Sequence, residues 1–130
     1  MTSNWIDLVK WDKDGLVACV VQDAKDSAIL MVAYMNKESL ERTVKEKKCC
    51  FWSRSRQKFW LKGEESGNVQ MVKKISIDCD GDCLLVQVEQ IGGAACHTGM
   101  RSCFYRKLDE ENNWQEEGTK IFDPAKVYKK

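Results

Sequence analysis

The strongest constraint on the fold comes from residues 16–35, which read LVACVVQDAKDSAILMVAYM. Two apolar segments flank a polar stretch, residues 23–27, that is short enough to form a single turn. Short apolar segments that are rich in β-branched residues and bounded by polar turn residues are typical of strands. The sequence therefore predicts a β-hairpin here, with Cys19 buried inside its first strand.

The rest of the chain adds one helix and further strands. Residues 36–48 contain no helix breaker, Asn36 is a favourable N-cap, and Leu40 and Val44 lie on one helical face. Strand patterns cover residues 49–53, 71–78 and 84–91, and a final hairpin is centred on residues 112–113. Residues 92–103 have weak periodicity and are predicted to be a loop. The prediction is an α+β, strand-rich single domain spanning residues 1–130, with one main helix.

Composition excludes several classes of protein. Lys and Arg number 21 against 20 Asp and Glu, so the net charge of +1 gives no global basic field for duplex DNA. No apolar run is long enough to span a membrane and no signal-peptide pattern begins the chain, so we predict a soluble, cytoplasmic protein. Seven cysteines, an odd number, favour free thiols over a disulfide framework.

Three aspartates recur at alternate positions between two predicted strands: Asp78, Asp80 and Asp82. Alternate residues of an extended segment lie on one face, so the three carboxylates are expected to converge. Carboxylate oxygens suit hard cations such as Mg²⁺. A solvated acidic turn is the alternative, and the regular spacing favours the metal site.

Three further cysteines, Cys79, Cys96 and Cys103, remain as metal-ligand candidates, although no C-x-x-C pair marks a zinc site. Cys96 precedes His97, the only histidine, in a loop that contains glycines. Three thiolates would leave the fourth position of a zinc site open for water, with His97 as general acid or base. Alternatively, His97 is the fourth ligand of a closed structural site.

Residues 51–62 interleave basic and aromatic side chains, among them Arg54, Arg56 and Lys62. Guanidinium and ammonium groups suit phosphates, and flat aromatic rings suit a base. The segment is consistent with a pocket for a phosphorylated nucleotide, with a platform for single-stranded nucleic acid, or with an amphipathic hairpin whose charges are solvated.

Four blocks occur in a fixed order along the chain: FWSRSR (51–56), KGEESGN (62–68), DCDGD (78–82) and GAACHTGMRSCFYR (93–106). Together they resemble the phosphoribosyl-AMP cyclohydrolases, ring-opening enzymes of histidine biosynthesis, over roughly residues 15–106. The departures are small: an Ala94–Ala95 pair in the last block, and Cys83 directly after the aspartates.

The resemblance implies an intertwined homodimer that opens the purine ring of N1-(5-phosphoribosyl)-AMP at the C6–N1 bond. It implies Zn²⁺ held by Cys96 and Cys103 of one chain with Cys79 of the other, and His97 as the catalytic base. It also implies Mg²⁺ held by Asp78, Asp80 and Asp82. A fused pyrophosphohydrolase domain, which many bacterial relatives carry, is not expected. Our candidates for phosphate contacts are Arg54, Arg56, Lys62, Ser66, Gly67 and Asn68.

Two other functions remain open from the sequence. One is a non-catalytic zinc protein that binds single-stranded RNA through residues 51–62, with a closed metal site. The other is a structural interaction domain, in which zinc removal would reduce stability but no activity would be lost. The enzyme hypothesis requires a small nucleotide substrate and no nucleic-acid or membrane partner.

Overall fold

The computed structural model describes residues 5–63, 67–96 and 98–121. A four-stranded sheet with the order β2-β1-β6-β5 forms its centre, and two short hairpins and one α-helix surround it. The elements are a 3₁₀-helix (Trp5–Leu8), β1 (Val17–Asp23), β2 (Ile29–Met35), α1 (Lys37–Glu46), β3 (Cys50–Ser53), β4 (Lys58–Leu61), β5 (Gln70–Ile77), β6 (Cys83–Gln90), β7 (Arg106–Leu108) and β8 (Trp114–Glu116).

The predicted hairpin at residues 16–35 is confirmed. Strands β1 and β2 pair antiparallel, and the Asp23 N–H donates to the Ala28 carbonyl at 2.8 Å to close the turn. Cys19, Val21 and Leu30 are fully buried, because alternate residues of the two strands face the core. Cys19 is therefore a core residue, as its position in the pattern indicates.

Strand β6 is the centre of the sheet and pairs with two partners. It runs antiparallel to β5 and parallel to β1, with Ala18 opposite Cys83. Val86 and Val88 are fully buried, which confirms the apolar face predicted for this strand. The three aspartates lie in the turn between β5 and β6, as the sequence predicts.

The helix α1 begins at the predicted N-cap. The Asn36 side chain accepts a hydrogen bond from the Ser39 N–H, and the Ser39 hydroxyl accepts one from the Asn36 N–H, a reciprocal capping box. At the other end, buried Thr43 accepts a hydrogen bond from the Cys50 N–H at 2.9 Å and donates to the Cys50 carbonyl at 3.1 Å. These contacts fix the helix against β3.

Two short hairpins complete the described residues. Strands β3 and β4 pair antiparallel and carry the basic and aromatic segment, and β7 and β8 form the hairpin predicted near residue 112. The α+β class with one main helix is confirmed, whereas the homodimer stays a prediction. Within the described ranges, no helix has both the length and the hydrophobicity that a membrane crossing requires.

Candidate functional site

Two of the three candidate zinc thiols lie together in the loop that follows β6. Cys96 is buried, and its sulfur accepts a hydrogen bond from the Thr98 hydroxyl at 3.0 Å. Cys103 is exposed at the surface, but partial desolvation of its sulfur, together with the neighbouring Cys96 thiol, raises its pKa to about 12. The Cys103 thiol is therefore protonated when no metal is bound, and a soft or borderline cation such as Zn²⁺ would displace its proton.

Contacts with the first hairpin hold this loop in place. The Cys103 N–H donates to the Leu30 carbonyl at 2.7 Å, and the Ser102 hydroxyl donates to the Ile29 carbonyl at 2.7 Å. The Arg101 guanidinium contacts the carboxylates of Asp23 and Asp26 at 3.2 and 2.7 Å. The loop is thus tied to both β2 and the β1–β2 turn, which fixes the backbone at Cys103.

The third candidate thiol, Cys79, lies elsewhere in the chain. It is exposed in the β5–β6 turn. In the part of the chain that the structure describes, Asp78, Asp80 and Asp82 form the only group of three metal-ligating side chains with donor atoms within 4.8 Å of one another. One chain therefore brings together Cys96 and Cys103 but does not add Cys79 to them.

The three aspartates do converge, but not through an extended backbone. Residues 79–82 form a turn in which the Asp82 and Cys83 N–H groups donate to the Asp78 carboxylate at 3.0 and 3.2 Å. Gly81 adopts a φ of +80°, and a Cβ there would lie 2.5 Å from the Leu8 carbonyl oxygen. The predicted extended conformation is wrong, because the backbone folds around the Asp78 side chain instead.

Contacts among the three carboxylates shift the pKa of Asp82 upwards and that of Asp78 downwards. Hydrogen bonds from Asp82 to Asp78 and Asp80 raise the pKa of Asp82 to about 6. Three exposed carboxylates that repel one another at neutral pH would bind a hard divalent cation such as Mg²⁺ favourably. The donor set therefore fits the predicted metal.

A groove of about 510 Å³ lies between β2 and the β3–β4 hairpin. The Arg54 guanidinium stacks 3.9 Å from the centre of the Tyr34 ring at this groove. Trp52 and Trp60 add aromatic surface, and the full lining is Val32, Ala33, Tyr34, Trp52, Ser53, Arg54, Ser55 and Trp60. Flat rings beside a guanidinium are suited to a base and a phosphate.

Lys62 lies between this groove and the thiols. Its side chain is buried, and its ammonium donates a hydrogen bond to the carbonyl of Ala95, the residue before Cys96. The same ammonium lies 5.1 Å from the centre of the Trp60 ring, which lines the groove. Trp60 and Lys62 therefore connect the aromatic groove to the loop of the two thiols.

Comparison with known proteins assigns the chain to a family. The model of the phosphoribosyl-AMP cyclohydrolase family matches residues 31–105. The phosphoribosyl-AMP cyclohydrolase of Chlorobium phaeovibrioides is 54% identical over 127 residues, which are 98% of this chain and 92% of that protein. The chain belongs to the phosphoribosyl-AMP cyclohydrolase family. The phosphoribosyl-AMP cyclohydrolase of Nitrosomonas europaea is 49% identical over 130 residues, which are 100% of both chains.

Two predicted site residues, His97 and Ser66, lie outside the residues that the structure describes. Their roles stay predictions. Arg56 and Gly67 are exposed, whereas Asn68 is buried and its carbonyl accepts a hydrogen bond from Gln90 at 2.8 Å.

Several residues that contact the candidate site were not found from the sequence. Tyr34 stacks on Arg54, Thr98 donates to Cys96, and Arg101 ties the thiol loop to the first hairpin. The Tyr34 and Arg101 contacts join residues far apart in the chain, so no local pattern indicated them. Thr98 lies two residues from Cys96, and a hydroxyl so close to a candidate ligand was the one available signal.

Proposed function

We propose that the chain catalyses the hydrolytic opening of the purine ring of N1-(5-phosphoribosyl)-AMP, a step of histidine biosynthesis. Water adds to C6 of the purine, the C6–N1 bond breaks, and the departing N1 takes a proton. The oxygen from water becomes the carbonyl oxygen of an imidazole carboxamide. The family assignment and the names of the relatives support this reaction.

The observation that carries the proposal is the link between the groove and the thiols. Trp60 lines the groove and contacts the Lys62 ammonium, which in turn binds the carbonyl beside Cys96. A nucleotide whose base stacks in the groove would therefore have its reacting ring near the thiol site. Arg54 is well placed to contact a phosphate there, and Arg56, Ser66, Gly67 and Asn68 remain further candidates.

In this proposal, Cys96 and Cys103 hold Zn²⁺ together with Cys79 of a second copy of the chain. The exposed position of Cys79 supports a shared site, because the described residues of one chain do not gather the three thiols. Bound zinc would supply Lewis-acid activation of the attacking water. His97, next to Cys96 in sequence, would take the proton from that water and deliver one to N1. Asp78, Asp80 and Asp82 would hold Mg²⁺, which helps to neutralise the phosphates of the substrate.

The RNA-binding alternative has less support from the structure. Phe51 is fully buried, and its ring centre lies 5.4 Å from that of Trp60. Trp52 packs its ring edge-on against Phe59 at 5.1 Å. Phe51 therefore offers no face to a base, which removes one of the rings that a stacking platform over residues 51–62 would use.

An ultraviolet assay of purine opening tests the proposal. Protein stripped with a chelator should lose turnover and regain it on addition of zinc, because the reaction requires an activated water. Cys96→Ser should lose both bound zinc and activity. The matched control is Cys83→Ser, since Cys83 is a half-buried thiol beside the aspartates that is not a proposed zinc ligand. Full turnover by metal-stripped protein, or unchanged zinc content in Cys96→Ser, would refute the proposal.

A further inference from the structure

Lys62 is a buried cation for which the described residues supply no carboxylate partner. Its side chain lies in the turn after β4 and the residue is only 6% exposed. The described ion pairs all involve other residues. Its backbone is fixed as well, because the Lys62 N–H donates to the Cys49 carbonyl at 3.0 Å. An ammonium removed from water is costly unless negative charge lies nearby.

The groups around this ammonium indicate where such charge would arise. Burial lowers the pKa of Lys62, and the nearby thiols of Cys103, Cys96 and Cys49 oppose that effect. Cys49 is a core residue whose pKa burial raises to about 12, so it stays neutral. The neighbours that metal binding would convert to thiolates are Cys96 and Cys103.

We propose that Lys62 is a positioning residue of the thiol site rather than a phosphate contact. Its ammonium holds the loop through the Ala95 carbonyl and balances the negative charge that the thiols acquire when they bind a divalent cation. This inference rests on the proposed function. Three thiolates around one divalent cation leave one excess negative charge, and a single buried ammonium balances it.

The position of the ammonium also argues against a direct contact with substrate. A phosphate-binding lysine presents its charge to solvent or to an open groove, whereas Lys62 turns its charge towards a backbone carbonyl. The side of the ammonium near the groove is covered by the Trp60 ring at 5.1 Å. Lys62 is therefore placed to act on the substrate through the loop that carries Cys96 and Cys103.

The test compares Lys62→Met with Lys58→Met in the full-length protein. Lys58 is an exposed lysine at the start of β4, the strand that precedes Lys62, so its replacement controls for the loss of one positive charge. Zinc affinity is measured by competition with a chromogenic chelator. We expect Lys62→Met to bind zinc about tenfold or more weakly, the usual effect of losing a group that supports metal ligands. Lys58→Met should bind zinc as tightly as the wild type.

The melting temperature of the metal-free protein distinguishes this role from a purely structural one. Methionine has a similar length and removes a buried charge, which offsets the lost hydrogen bond to the Ala95 carbonyl, so metal-free Lys62→Met should melt no lower than the wild type. A variant that loses zinc affinity and metal-free stability together would overturn the proposal. Zinc affinity equal to that of the wild type in a folded Lys62→Met would overturn it as well.

Three further outcomes are informative. If Lys62→Met does not fold, Lys62→Gln, which keeps a hydrogen-bond donor but no charge, should show the same loss of zinc affinity. Failure of both variants to fold would assign Lys62 to folding and overturn the inference. If Cys96→Ser binds zinc as tightly as the wild type, the proposed function is refuted, and that result does not depend on the Lys62 variants.

Discussion

Replacement of Gly63 by alanine should destabilise the protein far more than the same change at Gly67, four residues along the chain. Both glycines have positive φ, +88° and +79°, and the Gly67 N–H donates to the Gly63 carbonyl at 2.8 Å. A Cβ on Gly63 would lie 2.4 Å from the Val69 nitrogen and 2.5 Å from the Asn68 carbonyl carbon. On Gly67, a Cβ would meet no described atom within 4 Å.

The structure separates two contributions to the free energy of unfolding. Left-handed backbone costs a residue with a Cβ about 1–2 kcal/mol, and this applies to both variants. The collision at Gly63 is with backbone, which cannot rotate away, and such overpacking costs about 1–3 kcal/mol more. We therefore expect a loss of about 1–2 kcal/mol for Gly67→Ala and about 2–5 kcal/mol for Gly63→Ala.

Urea unfolding followed by tryptophan fluorescence measures both losses, since the chain contains five tryptophans. Each kcal/mol should also lower the melting temperature by roughly 3–5 °C for a domain of this size. Movement of Val69 would disturb the bond from the Ile91 N–H to the Val69 carbonyl, now 2.8 Å long. Equal losses in the two variants would show that the close approach at Gly63 does not exist and would refute the reasoning.

His97→Ala should lower kcat by about two to four orders of magnitude with unchanged zinc content, as expected for loss of a general acid–base group. Loss of zinc in that variant would make His97 a ligand, and near-wild-type turnover would remove it from the mechanism. Hydrogen bonds to Asp78 and Asp80 raise the pKa of Asp82 to about 6, above its ordinary 3.8, so the metal-free fold should lose stability as pH rises through that range. Asp82→Asn should flatten this pH dependence of the melting temperature and abolish stabilisation by Mg²⁺. If the melting temperature of the variant changed with pH as steeply as that of the wild type, the prediction would be wrong.

Local patterns in the sequence were sufficient for most elements of the fold. Apolar segments on either side of a polar turn predicted β1 and β2, and alternation of apolar residues predicted β5 and β6. The Asn36 cap predicted the start of α1. These signals act over a few residues, where side-chain direction and backbone hydrogen bonding are coupled. The same reasoning placed the aspartates in the connection between β5 and β6.

Features that depend on distant residues could not be predicted in this way. The parallel pairing of β1 with β6 and the ion pairs of Arg101 join segments that carry no sequence signal for each other. The burial of Lys62, a predicted phosphate contact, could not be read from the sequence either. These features depend on tertiary packing, whereas the strands and the helix start depend on local composition and spacing.

The parallel pairing of β1 with β6 has a consequence for the order in which the protein matures. During synthesis the first hairpin leaves the ribosome long before its second neighbour, so β1 keeps an unpaired edge until Cys83–Gln90 has been made. The acidic turn is tied to the N-terminal part of the chain at the same late stage, because the Lys10 N–H donates to the Gly81 carbonyl at 2.8 Å. Pairing between segments so distant in the chain is slow. The bond between Lys10 and the acidic turn therefore forms only after residues 78–82, which carry the candidate cation ligands, have been made.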